Sequence, residues 1–131
     1  YTTRLIYVQF DDFVLDYTDY AEVNDLLIAA DVLISDYSSI NLDYCIMGKP
    51  MICFGYDYDE YKKIRGFYYD LEEEMPNGVM RTENEVIRHL KNLDYEADAA
   101  KTVRFKESHC EYGCGDATVA CINTVFGTHY E

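Results

Sequence analysis

Two short apolar runs with one helical segment between them constrain the fold of this chain most strongly. Val32–Ile34 and Met51–Phe54 are continuous apolar stretches, as expected of strands that are buried on both faces. Residues 38–47 are predicted to be helical, and Gly48 and Pro50 stop that helix. A strand, a helix and a strand within so few residues imply a right-handed crossover between parallel strands. The sequence therefore predicts an α/β fold with a small, mostly parallel sheet flanked by helices.

Weaker patterns predict the elements around these runs. Residues 5–10 suit either a strand or the end of a helix, and Phe13–Asp16 is predicted to be a short strand. Apolar residues recur at helical spacing from 22 to 30, which predicts a helix before the first run. The aromatic segment after Gly55 is predicted to be a loop with a helical turn over 59–64.

Capping patterns predict two helices in the last third of the chain, with a charged helix between them. Residues 82–85 form a capping box, which starts a helix with four apolar residues facing inward: Val86, Ile87, Leu90 and Leu93. The charged helix over 96–106 should be largely exposed. The last helix should run from 116 to 126, end before Gly127, and bury three apolar residues: Val119, Ile122 and Phe126.

Length and charge limit the class of protein. The 131 residues suit a single domain spanning residues 1–131. With 25 acidic and 11 basic residues the formal charge is −14, and such a surface repels nucleic acid and anionic lipid. We therefore expect no nucleic-acid partner. A phosphorylated ligand would have to be held by local N–H groups, hydroxyls and a few cations.

The five cysteines favour a reducing compartment. Their odd number does not suit the paired framework of a secreted disulfide protein. Cys45 and Cys53 lie in apolar contexts and are predicted to be buried thiols. His109, Cys110 and Cys114 lack the second ligand pair of common zinc sites, so no metal is expected. A cytoplasmic location follows.

Polar residues collect where the two predicted strands end. Asp36, Ser38 and Ser39 follow the first strand, and Arg65 and Gly66 lie in the loop after the second. Ligands of parallel sheets bind beyond the carboxyl ends of the strands. Serine hydroxyls and the free N–H groups of a first helical turn together form an anion site. The alternative is that these side chains only cap the helix, and caps are far more common than phosphate sites.

Six short motifs follow one another in order between Val23 and Leu90. They are Asp25-Leu26-Leu27, Ala30 to Ser39, Asp43-Tyr44, Gly48 to Ile52, Tyr56-Asp57 with Glu60-Tyr61, and Arg65 to Asp70. Each motif alone is weak, but the ordered set is specific. It closely resembles the C-terminal part of the CDP-glycerol glycerophosphotransferases, which are the teichoic-acid primases and polymerases.

The resemblance implies a Rossmann-like sheet that forms part of the C-terminal half of a two-domain GT-B fold. This chain would then be an excised donor-binding domain, inactive alone. The implied reaction transfers glycerol phosphate, or a related polyol phosphate, from a CDP-activated donor to a lipid-linked acceptor in teichoic acid or cell-surface polymer synthesis. The donor is a substrate, so no cofactor is expected. Family members work at the cytoplasmic face of the bacterial membrane, which implies a peripheral location for the full-length protein.

The resemblance also implies roles for the loop residues. Ser38 and Ser39 would bind the pyrophosphate of the donor. Asp36 would repel a diphosphate, so we expect it to orient the loop or to contact a sugar or glycerol hydroxyl. Arg65 is the best candidate cation because a guanidinium holds phosphate oxygens in a two-pronged contact, and Gly66 lets the backbone come close. The alternative for Arg65 is a surface ion pair with a neighbouring carboxylate: Asp57, Asp59 or Glu60.

Other side chains in these motifs have weaker claims. Glu60 is a candidate for a ribose hydroxyl and Lys49 for a phosphate, with a solvated side chain as the alternative for each. Three tyrosines are candidates for a base or polyol pocket, with core or inter-domain packing as the alternative: Tyr56, Tyr58 and Tyr61.

Two departures from the family pattern leave the chemistry open. Catalysis in the family is attributed to histidines upstream of these motifs, whereas the first histidine of this chain is His89. No catalytic residue is therefore assigned. A basic position near the end is Ala120 here, which implies altered or weaker donor binding. Two alternative functions remain, a nucleotide-sugar glycosyltransferase domain and a non-catalytic interaction module.

Overall fold

A small parallel sheet organises the chain. The structure, a computed structural model, describes residues 13–111 and 115–129. Its strands are β1 (Leu33–Ser35), β2 (Met51–Phe54) and β3 (Val79–Met80), in the spatial order β1-β2-β3 with parallel pairing throughout. The α/β prediction is confirmed, as are the two strands predicted from the apolar runs.

Helices connect and flank these strands. In the described residues they are α1 (Val23–Ala29), α2 (Ile40–Cys45), α3 (Tyr58–Ile64), α4 (Leu71–Glu74), α5 (Glu83–Lys91), α6 (Tyr95–His109) and α7 (Ala117–Phe126). The predicted helix over 38–47 is therefore shorter at both ends. The turn after it holds Gly48 at φ 65°, the left-handed conformation expected of a helix stop. None of the described helices combines the length and the apolar character needed to traverse a bilayer.

The main core lies on one face of the sheet. The registers Leu33 with Met51 and Cys53 with Val79 place these four side chains on the same face, because side chains alternate along a strand. Met51 and Cys53 pack with Tyr44 of α2 and Phe105 of α6, and all four of these side chains are buried. Because three of the four residues of β2 are buried, the second apolar run contains no polar residue.

The charged helix α6 is more central than its sequence suggests. We predicted a largely exposed helix over 96–106, but Asp98, Thr102 and Phe105 are buried. They recur at intervals of three to four residues and so line one face of the helix. The predicted helix is confirmed, but its buried face was missed because two of these three buried side chains are polar and carry no apolar signal.

One predicted strand and several predicted inward-facing residues also fail. Phe13–Asp16 forms no strand and is exposed. No side chain of α7 is buried, and Phe126 is 73% exposed. On α5 the capping box of Thr82 and Glu85 is confirmed, but only Val86 of its predicted apolar face is buried. Residues 5–10 and Cys114 lie outside the described residues.

The folded chain is expected to protect Cys45 and Cys53 from alkylation. Burial raises the pKa of Cys53 to about 11, and burial together with the neighbouring Cys110 thiol raises the pKa of Cys45. The reactive thiolate is therefore scarce at neutral pH. Brief iodoacetamide treatment followed by peptide mass spectrometry should label the exposed Cys121 first. Labelling of Cys53 at the same rate as Cys121 in the native state would contradict this packing.

Candidate functional site

A pocket lies beyond the carboxyl ends of β1 and β2. Its volume is about 360 Å³ and its walls include serine hydroxyls and aromatic rings. We call it the serine pocket and define it by Tyr37, Ser38, Ser39, Tyr61, Gly66 and Phe67. The first three follow β1 directly, and the others come from the segment after β2. The structure thus brings together the two loops that the sequence singled out.

A second pocket adjoins the first. It has a volume of about 580 Å³, and we call it the Arg65 pocket; its lining is Asp57, Glu60, Tyr61, Ile64 and Arg65. Tyr61 lines both pockets and so forms part of the wall between them. Of the predicted donor-binding residues, Ser38, Ser39 and Gly66 line the serine pocket, Glu60 and Arg65 line the Arg65 pocket, and Asp36 lines neither.

Asp36 shapes the loop between β1 and α2. Its Oδ1 accepts a hydrogen bond of 2.9 Å from the backbone N–H of Ser38. Its carbonyl oxygen accepts another of 2.9 Å from the buried side-chain amide of Asn41. Both contacts fasten the turn that carries the serines, which is the loop-orienting arrangement favoured from the sequence.

The two serines differ in their hydrogen bonds. Ser38 Oγ accepts from the N–H of Ile40 at 3.4 Å, and its carbonyl accepts from the N–H of Asn41 at 3.2 Å. Ser38 thus acts partly as a helix cap, as the alternative interpretation held. The Ser39 hydroxyl has no hydrogen-bond partner in the parts of the chain that the structure describes, and Ser39 is an exposed residue that lines the pocket. Ser39 is therefore the serine with a free hydroxyl.

Arg65 is exposed, and in residues 13–111 and 115–129 no carboxylate forms an ion pair with it. Two of the carboxylates considered as its partners have other contacts. Asp57 accepts a hydrogen bond from the Tyr37 hydroxyl, and Asp59 pairs with Arg81 at 3.5 Å. The guanidinium of Arg65 is consequently open to a ligand from solvent.

Arg81 is a charged residue of this end of the sheet that the sequence did not reveal. It follows β3, pairs with Glu72 and Asp59, and lies 4.8 Å from the ring centroid of Tyr58. Burial lowers the pKa of Arg81, but its hydrogen bonds to Asp59 and Glu72 outweigh that effect and raise it. A two-residue strand gives no recognisable pattern, so nothing placed Arg81 beside these loops.

The candidate tyrosines divide into three environments. Tyr58 is buried in the core, Tyr61 lines both pockets, and Tyr56 is exposed. Only Tyr61 therefore fits the predicted role in a pocket wall. Tyr61 also stacks on Phe67, with ring centroids 5.3 Å apart and an interplanar angle of 18°.

Lys49 and His89 have structural contacts away from the serine pocket, whereas the ring centroid of His109 lies 4.8 Å from that of Tyr69, which lines this pocket. Lys49 Nζ donates hydrogen bonds of 2.8 Å to the carbonyls of Ile28 and Ala30, at the end of α1. His89 Nε2 lies 2.5 Å from Asp98, and His109 stacks on Phe105. The described residues contain no grouping of three or more side chains suited to a metal ion.

Comparison with known proteins decides the family. The model of the family described as CDP-Glycerol:Poly(glycerophosphate) glycerophosphotransferase matches residues 2–127. The chain belongs to this family. It is therefore a member of a transferase family, and the motif resemblance seen in the sequence is confirmed.

Several glycerophosphotransferase-family relatives make teichoic acids. The chain is 36% identical over 120 residues to the teichoic acid glycerol-phosphate transferase of Staphylococcus aureus (strain NCTC 8325 / PS 47). The aligned region covers 88% of this chain and 31% of that transferase. It is 41% identical over 87 residues to the teichoic acid poly(ribitol-phosphate) polymerase of Bacillus spizizenii (strain ATCC 23059 / NRRL B-14472 / W23). The aligned region covers 66% of this chain and 14% of that polymerase.

Solved structures of the family support the fold. The chain matches the wall teichoic acid polymerase TagF with a TM-score of 0.70 and 32% identity, over 86% of this chain and 29% of TagF. This likeness confirms the prediction of a sheet belonging to a GT-B-like arrangement. The chain spans less than a third of the length of these relatives.

Proposed function

We propose that this chain is the donor-binding part of a transferase that moves glycerol phosphate, or a related polyol phosphate, from a CDP-activated donor to a lipid-linked acceptor. The product would be teichoic acid or a similar cell-surface polymer. The complete protein would work in the cytoplasm, peripherally at the inner face of the bacterial membrane. The acceptor site and the general base would be supplied by other parts of that protein.

One observation carries the proposal. Ser39, whose hydroxyl has no protein partner in the described residues, lines a pocket at the carboxyl ends of parallel strands. That is the position at which α/β sheets bind nucleotides. Family membership supports a nucleotide donor that carries phosphates, because the family description names CDP-glycerol. One TagF structure, which resembles this chain over 86% of its length, was obtained after a soak with CDPG.

The charges near the pockets support a phosphate ligand despite the net charge of −14. Arg65 is the unpaired cation at the rim of the adjoining pocket, as judged over the described residues. A guanidinium binds phosphate oxygens with two parallel N–H donors. In this proposal Ser38 and Ser39 hold the pyrophosphate, Arg65 neutralises it, Gly66 gives the backbone room to approach, and Glu60 contacts a ribose hydroxyl.

Direct titration of the complete protein that contains this chain tests the proposed donor. Calorimetry with CDP-glycerol, CDP-ribitol and a UDP-sugar should show binding of a CDP-polyol. This chain is similar both to a glycerol-phosphate transferase and to a ribitol-phosphate polymerase, so the two CDP-polyols must be compared. Binding of the UDP-sugar alone would favour a glycosyltransferase. Binding of none at millimolar concentration would favour an interaction module.

Ser39→Ala and Arg65→Ala should each weaken binding of the CDP-polyol about tenfold or more. Each substitution removes at least one charge-assisted hydrogen bond to phosphate, and each such bond contributes about 1.5 to 3 kcal/mol. Ser39 makes no capping hydrogen bond, so its replacement should leave the thermal midpoint nearly unchanged.

Ser108→Ala is the matched control. It also removes a serine hydroxyl, but Ser108 lies on α6 and bonds only to nearby groups of the same helix. Its donor affinity should equal that of the wild type. Wild-type affinity in both Ser39→Ala and Arg65→Ala would show that the donor binds elsewhere.

A further inference from the structure

Tyr37 is fixed more firmly than its neighbours in the loop after β1. Its hydroxyl donates a hydrogen bond of 2.7 Å to Asp57 Oδ1, which lies twenty positions further along the chain. Its ring centroid lies 4.7 Å from that of Tyr61 and 5.2 Å from that of Phe67. The side chain thus joins the loop after β1 to the segment after β2.

Gly55 makes this position of the ring possible. A Cβ atom at Gly55 would lie 2.7 Å from Cε1 of Tyr37 and 2.8 Å from its hydroxyl oxygen. No side chain fits there without moving the ring. The Tyr37 ring therefore packs against the backbone of Gly55, directly after β2.

The phenol keeps its proton and so remains a donor to Asp57. Burial opposes ionisation of Tyr37 and raises its pKa, and the hydrogen bond to Asp57 raises it further. The direction of this hydrogen bond is therefore constant across the neutral range. Asp57 itself lines the Arg65 pocket, so the bond spans the wall between the two pockets.

We propose that Tyr37 is a positioning residue, which holds the adjacent Ser38–Ser39 segment in place for the phosphates of the donor. It does so because its phenol donates to Asp57 and its ring packs against Gly55. This inference rests on the proposed function of the serine pocket. Asp36 and Asn41 fix the turn from within its own loop, whereas Tyr37 fixes it against the opposite wall. This hydrogen bond thus adds to the ring contacts with Tyr61 and Phe67 in holding the serine segment against the segment of Arg65.

Tyr37→Phe in the complete protein tests the proposal, because it keeps the ring and removes the hydroxyl. We expect about tenfold weaker binding of CDP-glycerol by calorimetry, the effect of losing one hydrogen bond to a charged group. We also expect faster amide hydrogen exchange over residues 38–41 in the ligand-free protein, because the loop loses its tie to Asp57.

Tyr58→Phe is the matched control, since it removes a phenol from the same aromatic cluster. The Tyr58 hydroxyl bonds Asp70 at 3.5 Å, and Tyr58 lines neither pocket. This variant should keep the wild-type affinity and the wild-type exchange over residues 38–41. In addition, combining Tyr37→Phe with Asp57→Ala should weaken binding no more than the more damaging single change, because both remove the same bond.

The outcomes separate this inference from the proposed function. Wild-type exchange over residues 38–41 in Tyr37→Phe overturns the positioning role, whether or not a donor binds. Unchanged affinity in Tyr37→Phe, with a wild-type protein that binds the donor, also overturns it. A wild-type protein that binds no CDP compound overturns the proposed function, and the exchange measurement still decides whether Tyr37 holds the loop.

Discussion

Asp98→Ala is expected to lower the free energy of unfolding by about 3 kcal/mol, because it removes the shared partner of a buried polar cluster. The side chain of Asp98 is 4% exposed. Its carboxylate lies 2.7 Å from Lys101 Nζ and 2.5 Å from His89 Nε2, and it accepts from Asn77 at 3.3 Å. Without it, three polar groups each lose a contact, and only the bond from Lys101 to Asn77 and that from Asn77 to Met51 remain in the cluster. Lys101 is partly exposed and can regain water, which keeps the cost at the lower end of the range for buried pairs.

The cluster joins four parts of the fold. Asp98 belongs to α6 and His89 to α5, while Asn77 lies in the turn before β3 and also donates to the carbonyl of Met51 at the start of β2. It therefore lies at the amino ends of β2 and β3, away from the serine pocket. Urea unfolding at neutral pH measures the loss. Donor affinity of the folded variant should stay at the wild-type value.

The difference between the wild type and Asp98→Asn should depend on pH. Burial raises the pKa of Asp98, but the hydrogen bonds from Lys101 and His89 outweigh it and hold that pKa below its ordinary value. A carboxyl with a lowered folded pKa adds stability above the unfolded pKa, and this is lost as the pH falls through the folded value. The difference should thus be full at about pH 5 and shrink below about pH 4.

Asp59→Ala is the control for the loss of a carboxylate. Asp59 pairs with Arg81 at 3.5 Å, but its side chain is 71% exposed, so the pair contributes little in water. The expected loss is below about 0.5 kcal/mol. Equal losses in Asp98→Ala and Asp59→Ala would contradict the assignment of Asp98 as the centre of the cluster.

Gly55→Ala should affect both stability and the site. The new methyl group would lie 2.7 Å from Cγ1 of Val79 as well as from the Tyr37 ring, so either the core or the ring must move. Overpacking of this kind costs about 1 to 3 kcal/mol. Because Tyr37 is half-buried and Val79 is buried, we expect a loss near 2 kcal/mol in urea unfolding, together with weaker donor binding than in Tyr37→Phe.

Gly127→Ala separates crowding from backbone strain. A Cβ atom at Gly127 would meet no atom of residues 13–111 or 115–129 within 4 Å, and the residue has φ 62° after α7. Its replacement should cost about 1 kcal/mol through left-handed strain alone and leave donor binding unchanged. Donor affinity of Gly55→Ala equal to that of Gly127→Ala would contradict a link between Gly55 and the serine pocket.

The sequence predicted the centre of the fold well and its periphery poorly. Met51–Phe54 was predicted in full because a central parallel strand is apolar throughout. Thr82 and Glu85 were recognisable because a capping box depends only on local spacing. β3 was missed because two residues carry no period. The burial of α6 was missed because Asp98 and Thr102 are polar and become buried only through partners distant in sequence.

The candidate site shows the same division. Local patterns identified the loop of Ser38 and Ser39 and the segment of Arg65, and strand order brought both to one edge of the sheet. Sequence alone did not show that Ser39, rather than Ser38, has the free hydroxyl, because that depends on the geometry of the first helical turn. The bond from Tyr37 to Asp57 joins two loops and was equally invisible. Contacts between loops depend on how the fold places the loops, and the spacing of residues along the sequence does not reveal them.

The serine pocket and the Arg65 pocket are made from one continuous stretch of chain. In the part of the chain that the structure describes, every side chain that lines either pocket lies between Tyr37 and Leu71, and β2 lies within that stretch. Contacts between residues so close in sequence form with a small entropic cost of loop closure. The two pockets should therefore assemble early, together with the strand–helix–strand unit, before α6 packs against it.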